Sequence, residues 1–433
     1  MHAKLIDLLN IKLENRDFIN RHKFEETNFT RNRSFSFKSI CLFLISTIQS
    51  SLQRELDRFF KAYNDKKVSE RYVTQSAFSQ ARLKIKPEAF EELSGDCVNY
   101  FYSNYAYKVW NGFRLIAIDG SEVLLPKNKG TVDEFGEYTT NFMNGTVVLA
   151  RLSKAYDVLN NISIPASPVG GDAKLVNTEI GEHPLAKEHL EHLGEGDLIL
   201  YDRGYPSYDL FKKDIDKGCQ FCARVAVANW SAAKKLVESG EKEIIAEITP
   251  GYEMKKQYKR QGIDFEPIKC RFICIELSTG EKEVLITSLL DVEEYPYELF
   301  DELYHLRWGV EESYKIDKHR LELENFSGKS VVAIKQDFFA NILMGNLTAI
   351  LSSNLGEKIN KKKRKYDYQV NKTTALSKVK EFLAFLFNSL DVLQFIETLV
   401  SEFLLNVLPI RLGRSFQRKK QQRKRYHKTY LTL

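Results

Sequence analysis

Apolar residues recur at helical spacing up to about residue 110, after which the pattern changes to short, strand-like apolar runs. Amphipathic stretches such as Ser39 to Phe60 predict a helical region over residues 1–110. Within it, the run VTQSAFSQARLKIKPEAFEEL predicts two helices in succession. Thr74 is placed to cap a helix over Gln75 to Lys84, and Pro87 to open the next one. The pair has the form of a helix-turn-helix, whose outward positions would include Gln75, Ser76, Ser79, Gln80 and Arg82. These residue types can read base edges or touch phosphates, and they suit the solvated face of an ordinary helical hairpin equally well.

From Gly112 the runs FRLIAID and GTVVLARLSKAYDVLNNISIPASPV predict three strands, the last two folded around a turn at Asn160-Asn161. A helix over Thr178 to Leu193 and the buried-type strand DLILYD follow. This alternation predicts an α/β core. Between Tyr205 and Pro296 further strand candidates (CQFCARVAV, KEIIAEIT, FEPIKCRFICIEL, KEVLITSLL) read as an inserted β-rich module. Helical periodicity returns at Tyr297 and runs to about Leu408, ahead of a basic tail. The expected division is therefore 1–110, 111–204, 205–296, 297–350 and 351–433.

Charge changes this picture only locally. A net charge of +6 over 433 residues is small, but Arg411 to Leu433 holds nine Lys or Arg residues and no acid, and Lys361 to Lys365 reads KKKRK. Those stretches suit a polyanionic partner. The first residues mix charge into their apolar positions, unlike a secretory leader, and Ile40 to Ile45 and Phe338 to Leu351 are too short or too interrupted to span a bilayer. A cytoplasmic protein without a membrane segment is expected. Cys219-x-x-Cys222 and Cys270-x-x-x-Cys274 have spacings that invite a zinc reading, yet both pairs sit in strand-like runs, where residues three apart face opposite sides. They read as core cysteines.

The candidate chemistry lies elsewhere. Asp119 ends the apolar run Leu115 to Ile118, and Asp202 ends Leu198 to Tyr201, so two carboxylates are expected at the C-terminal lips of buried strands. An Asp-Gly pair such as Asp119-Gly120 can also simply open a turn. The segment ELYHLRWGVEESYKIDKHR, taken as one helix, places Tyr304, Arg307, Glu311 and Lys318 at roughly 0°, 300°, 340° and 320°, on a single face. Alone, that stripe fits a salt-bridged solvent face with Arg307 and Glu311 as an i,i+4 pair. Combined with two strand-end aspartates, it predicts three carboxylates able to hold two divalent cations for in-line displacement at phosphorus. Oxygen ligands without His or thiolate favour Mg²⁺, with Mn²⁺ as substitute. Tyr304, Arg307 and Lys318 are expected to touch DNA phosphates. Arg203 and Arg224 fit phosphate contacts or structural ion pairs equally well.

The spacing Tyr304-x2-Arg307-x3-Glu311-x6-Lys318, with Asp119-Gly-Ser and Asp202-Arg-Gly-Tyr upstream, resembles bacterial insertion-sequence DDE transposases of the "insertion sequence four" type. The resemblance implies a ribonuclease H-like catalytic core with Asp119, Asp202 and Glu311 as catalytic and metal-holding residues. It also implies a β-rich insertion between the second Asp and the Glu, matching the 109 residues from Asp202 to Glu311. Implied partners are the terminal inverted repeats and target DNA, bound by a homodimer on paired ends that cuts and transfers strands in cut-and-paste fashion. A DNA hairpin intermediate is a further implication, and Trp230, Trp308 or a nearby Tyr would hold the flipped base. Two rivals remain: a domesticated, non-catalytic DNA-binding protein, and a phosphatase with a nucleophilic Asp. The phosphatase reading lacks its usual second Asp two residues on, where Ser121 stands.

The tail yields a direct expectation. Truncation after Leu412 weakens binding to every duplex alike and flattens the dependence of log K on log salt, by roughly 0.9 for each phosphate no longer neutralised. Titrations at several salt concentrations measure that slope.

Overall fold

The computed structural model describes all residues except 32, 33, 47, 49, 69, 140–144, 165–173, 277–279, 322, 362–363 and 412–433. The basic tail beyond Arg411 and two residues of the KKKRK run therefore lie outside the described residues.

The N-terminal region is helical as expected: α1 (His2–Glu14), α2 (Arg16–His22), α3 (Phe37–Ile45), α4 (Leu52–Tyr63), α5 (Gln75–Arg82) and α6 (Glu88–Asn104). The stretch read as one amphipathic run, Ser39 to Phe60, is divided between α3, whose residues are all buried, and α4. Thr74 caps α5 by accepting from the Ala77 amide.

The core sheet comprises β1 (Arg114–Leu125), β2 (Tyr138–Thr139), β3 (Thr146–Asp157), β4 (Ile162–Ile164), β5 (Lys174–Asn177), β6 (Asp197–Tyr201), β7 (Gln220–Val225), β8 (Glu243–Ile248), β9 (Ile268–Glu276) and β10 (Lys282–Thr287). The main path runs β2-β3-β1-β6-β7-β10-β9-β8, with β4 and β5 also paired to β3. Only β1, β6 and β7 are mutually parallel, and they lie at the centre, where apolar runs such as Leu198 to Tyr201 are buried throughout. The turn between β3 and β4 forms where Asn160-Asn161 marked it, with Asn161 at φ 60°.

The four strands expected after Tyr205 all form, but they do not build a layer of their own. One of them, β7, belongs to the parallel centre, and β10, β9 and β8 extend the same sheet outward from it. Interspersed are α7 (Lys129–Phe135), α8 (Glu182–His189), α9 (Tyr208–Asp216), α10 (Ser231–Ser239) and α11 (Tyr252–Gln261). The expected helix over Thr178 to Leu193 starts later, at Glu182, after a turn. Cys219, Cys222, Cys270 and Cys274 are buried free thiols.

The chain then forms α12 (Leu299–Leu306), α13 (Trp308–His319), α14 (Val331–Leu351), α15 (Gly356–Asn360), α16 (Lys372–Asn388) and α17 (Val392–Leu405). Two short strands, β11 (Tyr368–Val370) and β12 (Val407–Pro409), pair antiparallel, so Leu408 lies in a strand rather than at a helix end. The long helix α14 packs against α6, α3, α16 and the sheet, burying apolar residues on several faces. Although its sequence is markedly apolar, no described helix is long and apolar enough to cross a membrane.

Arg82 corrects the reading of α5. Instead of standing outward it is 2% exposed. Its guanidinium donates to Gln336 Oε1 at 2.8 Å, Ser327 Oγ at 2.5 Å, the Ala333 carbonyl at 2.9 Å and Asp337 Oδ1 at 2.7 Å. Gln336 donates back to the Arg82 and Ile85 carbonyls. Burial of a guanidinium demands this degree of satisfaction, and here it joins the N-terminal helices to α14. Ser76, Ser79 and Gln80 do face outward.

Replacing Arg82 by Met leaves Asp337 and Gln336 without their partner inside the structure. The expected loss is about 3–5 kcal/mol of stability, read as a lower urea midpoint with an unchanged slope.

Candidate active site

Strand register brings Asp119 and Asp202 together. Arg114 to Ile118 of β1 pair in parallel with Asp197 to Tyr201 of β6, and the last matched pair is Ile118 with Tyr201. The next residue on each strand is an aspartate, so the two side chains leave the same face of the sheet side by side. Asp202 does follow the end of its strand, but β1 continues to Leu125, still paired with β3. Asp119 thus marks the point where β1 parts from β6, not the end of β1. The reason is the long antiparallel ladder to β3, which keeps Val123 to Leu125 buried.

Glu311 comes from α13, which is pinned across β1 and β3. The Tyr314 hydroxyl donates to the Asp119 carbonyl at 2.6 Å, and Lys318 Nζ donates to the Glu122 carbonyl at 2.6 Å. Behind them the buried Lys154 of β3 pairs with Asp317 at 2.6 Å. Residues 311, 314 and 318 are spaced to share one helix face, which fixes Glu311 over the aspartates.

The segment carrying the four-residue stripe is two helices rather than one. At the joint, the Arg307 amide bonds to the Tyr304 carbonyl and the Val310 amide to the Arg307 carbonyl, both three residues apart. Arg307 keeps helical dihedrals (φ −52°, ψ −34°), so the stripe continues across the joint. Arg307 is 3% exposed and donates from Nη2 to Glu311 Oε1 at 2.6 Å, while its buried Nε has no partner among the described residues. The buried Tyr304 donates its hydroxyl to the Tyr201 carbonyl at 3.3 Å and lies 3.5 Å from Asp202 Oδ1. Arg224 bridges Asp202 at 3.1 Å and Glu283 of β10 at 2.5 Å. Tyr304 and Arg307, expected to face phosphates, are turned here toward the acids, and Arg224 takes the ion-pair alternative, because buried or half-buried carboxylates need counter-charge. Lys318 is half-buried on its carbonyl, whereas Arg203 is exposed and Trp308 projects with 49% of its surface open. Trp230 packs between Phe211 and Phe272 in the core.

The electrostatics separate the two aspartates. Burial raises Asp119; the Gly120 amide and Arg307 oppose that, Glu311 and Asp202 add to it, and the carboxyl ends at about 6. Burial also raises Asp202, but the Arg203 amide and the charges of Arg307, Arg224 and Arg203 outweigh it and hold that carboxyl below its ordinary range. Burial disfavours the Arg307 cation, and Tyr304, Glu311 and Asp202 more than restore it. Burial brings Lys318 below the usual lysine range despite the nearby Glu324, Glu122 and Asp317. The three acids share one field centred on Arg307.

The donor set suits a hard divalent cation, being all carboxylate oxygen. Among the described residues no group of three His, Cys, Asp or Glu side chains forms a ready-made metal cage. Asp202 and Glu311 are each engaged by an arginine instead, so a cation would take over as counter-charge from Arg224 and Arg307.

Sequence reading missed Tyr314 and Lys154. Tyr314 was accessible to it, standing three residues after Glu311 and four before Lys318 on the same face. A lysine inside the apolar strand run LSKAYD likewise signals a buried ion pair.

A family model described as "Transposase DDE domain" matches residues 110–347, a span that contains all three acids and the sheet that aligns them. The chain belongs to this family. Transposase InsG for insertion sequence element IS4, from Escherichia coli strain K12, is 20% identical over 278 residues, which are 64% of this chain and 60% of that protein. The match thus spans about three fifths of the relative's length. A cryo-EM structure titled as a piggyBac transposase synaptic complex with hairpin DNA is similar at a TM-score of 0.45 and 11% identity, covering 96% of this chain and 88% of that one.

For this family member the raised Asp119 gives a signed expectation. Its folded value, about 6, lies above the ordinary 3.8, so the folded state binds the proton more tightly and gains stability as pH falls from about 6 toward 4. Above that window the buried charge is a cost. In EDTA at pH 7.5, Asp119→Asn therefore raises stability, on the order of 1–3 kcal/mol, and the gain shrinks toward pH 4; denaturant titrations at the two pH values measure both.

Proposed function

We propose that this protein is a DDE transposase that cleaves DNA at transposon ends and joins the freed ends to target DNA in cut-and-paste fashion. The observation that carries this reading is the register of β1 and β6, which sets Asp119 beside Asp202 under the Glu311 helix within the family-matched span. The antiparallel β1-β3-β4 set followed by parallel β6 supports a ribonuclease H-like core over 111–204 and 297–350, to which β7, from within 205–296, adds a further parallel strand. Residues 205–296 are then the insertion, 1–110 a DNA-binding region in which Ser76, Ser79 and Gln80 are open to solvent, and 351–433 a helical, basic C-terminal region.

Asp119, Asp202 and Glu311 would hold divalent cations, Mg²⁺ or Mn²⁺, two per site. Such ions, when bound, activate the attacking oxygen and stabilise the leaving one. In cleavage a water oxygen bonds to phosphorus as the P–O3′ bond breaks; in joining, the freed 3′-hydroxyl takes the place of water at a target phosphodiester. The chain's own residues set up the site. Tyr304 and Arg224 orient Asp202, Arg307 orients Glu311, and Tyr314 fixes the backbone at Asp119. Exposed Arg203, next to Asp202, is a DNA contact in this reading, and exposed Trp308, at the start of α13, is suited to stack on a flipped base. Double-stranded DNA is the partner, a homodimer on paired ends the working assembly, and the nucleoid the place of work.

Cleavage of a labelled duplex bearing the element's own ends tests this, with Mg²⁺, Mn²⁺ or EDTA. Metal-dependent cutting at the element boundary is expected, falling on the order of a thousandfold or more in Asp202→Ala and Glu311→Ala with DNA binding retained. Binding without cutting in either metal would establish a domesticated, non-catalytic protein instead.

A further inference from the structure

A fourth carboxylate reaches the same place. Glu182 opens α8, which leads into the β6 strand, and its side chain lies close to the backbone beside both aspartates. A Cβ added to Gly120, next to Asp119, would fall 2.9 Å from Glu182 Oε1. A Cβ on Gly204, two residues after Asp202, would fall 4.0 Å from Glu182 Oε2. The carboxylate thus lies between the β1 residue next to Asp119 and the turn after Asp202, and the absence of a side chain at Gly120 admits it. No ion pair to Glu182 is found among the described residues, whereas Asp202 and Glu311 each have an arginine.

A second observation points to a missing ligand here. Tyr205 is 2% exposed, and its hydroxyl has no hydrogen-bond partner among the described residues. Burial acts most strongly on that phenol, the charges of Glu182, Asp119 and Asp202 act in the same direction, and Arg151 opposes them. A buried phenol without a partner, directly after Gly204 in the chain, suits a site completed by a hydrated cation, whose water would accept its proton. Charge agrees: two divalent ions carry four positive charges, and Asp119, Asp202 and Glu311 offset three.

We infer that Glu182 is a further member of the metal site, a fourth carboxylate that supplies the remaining negative charge on the side of Gly120 and Gly204. This rests on the metal-dependent reading above. The competing, purely structural role is that of an acid in the first turn of α8, which favours the helix slightly and is indifferent to metal.

Calorimetric titration of the full-length protein with Mn²⁺ alone separates these, alongside thermal melts in EDTA. Glu182→Gln is expected to weaken Mn²⁺ binding about tenfold or more while leaving the melt in EDTA unchanged or higher, since a repelling charge is gone. Gly120→Ala gives the second arm: the three atoms nearest the new methyl all belong to the flexible side chain of Glu182, so folding is kept while the carboxylate is displaced. It should weaken Mn²⁺ binding in the wild-type background and add little to Glu182→Gln, a non-additivity that additive effects on Asp119 would not produce. If Glu182→Gln binds Mn²⁺ like wild type while Asp202→Asn does not, Glu182 is excluded and the metal site stands. Should the wild type bind no Mn²⁺, the metal-dependent reading itself falls, and this inference with it.

Discussion

Two like charges held at adjacent positions of a parallel ladder set the terms for the rest of this structure. At the usual strand spacing of about 4.8 Å, two ionised carboxylates repel by roughly 3 kcal/mol in an effective dielectric near 20. Neither aspartate can retreat, because Leu115 to Ile118 and Leu198 to Tyr201 are locked in the centre of the sheet. The repulsion is met by cations brought from other elements: Arg307 from the joint of α12 and α13, and Arg224 from β7. The pair is uneven: burial above all raises Asp119, whereas the Arg203 amide and the arginines hold Asp202 below its ordinary range.

That demand explains how α13 is fastened. A helix placing another acid over two aspartates would be pushed away without compensation. Arg307 neutralises Glu311 at one end, while Tyr314 and Lys318 tie the helix to backbone carbonyls of β1. Lys154 and Asp317 fix its far side through a buried ion pair that is costly to break once formed. Helix α14 then couples this assembly to the N-terminal helices through Arg82 and Gln336. The region proposed to recognise DNA and the region proposed to cut it are joined by a polar network with little freedom to slide.

The residues between Tyr205 and Pro296 are drawn into the same arrangement. Because β7 pairs in parallel with β6 and β10 in turn pairs with β7, this segment continues the sheet that carries Asp119 and Asp202. Arg224 makes the link chemical as well, joining Asp202 to Glu283 of β10. A cation that displaced Arg224 from Asp202 would leave it bound to the insertion.

Local patterns were readable wherever the chemistry is local. Apolar runs rich in Leu and Ile ended by Asp marked the β1 and β6 acids, the Asn160-Asn161 turn marked the β3–β4 hairpin, and Thr74 and Pro87 marked helix starts, because caps, turns and periodicity depend on residues a few positions apart. The stripe of Tyr304, Arg307, Glu311 and Lys318 was readable for the same reason, even across the break at Arg307. What the stripe faces was not. Arg82 looked like an outward DNA contact until Gln336 and Asp337, over 250 residues away, enclosed it. Glu182 carried no signal, since its place beside Asp119 exists only once α8 packs over β1 and β3. The sequence by itself determined which residues could do chemistry and which elements carry them. Tertiary structure decided which charges meet, because the cost of burying a charge is set by partners that the chain brings from far along its length.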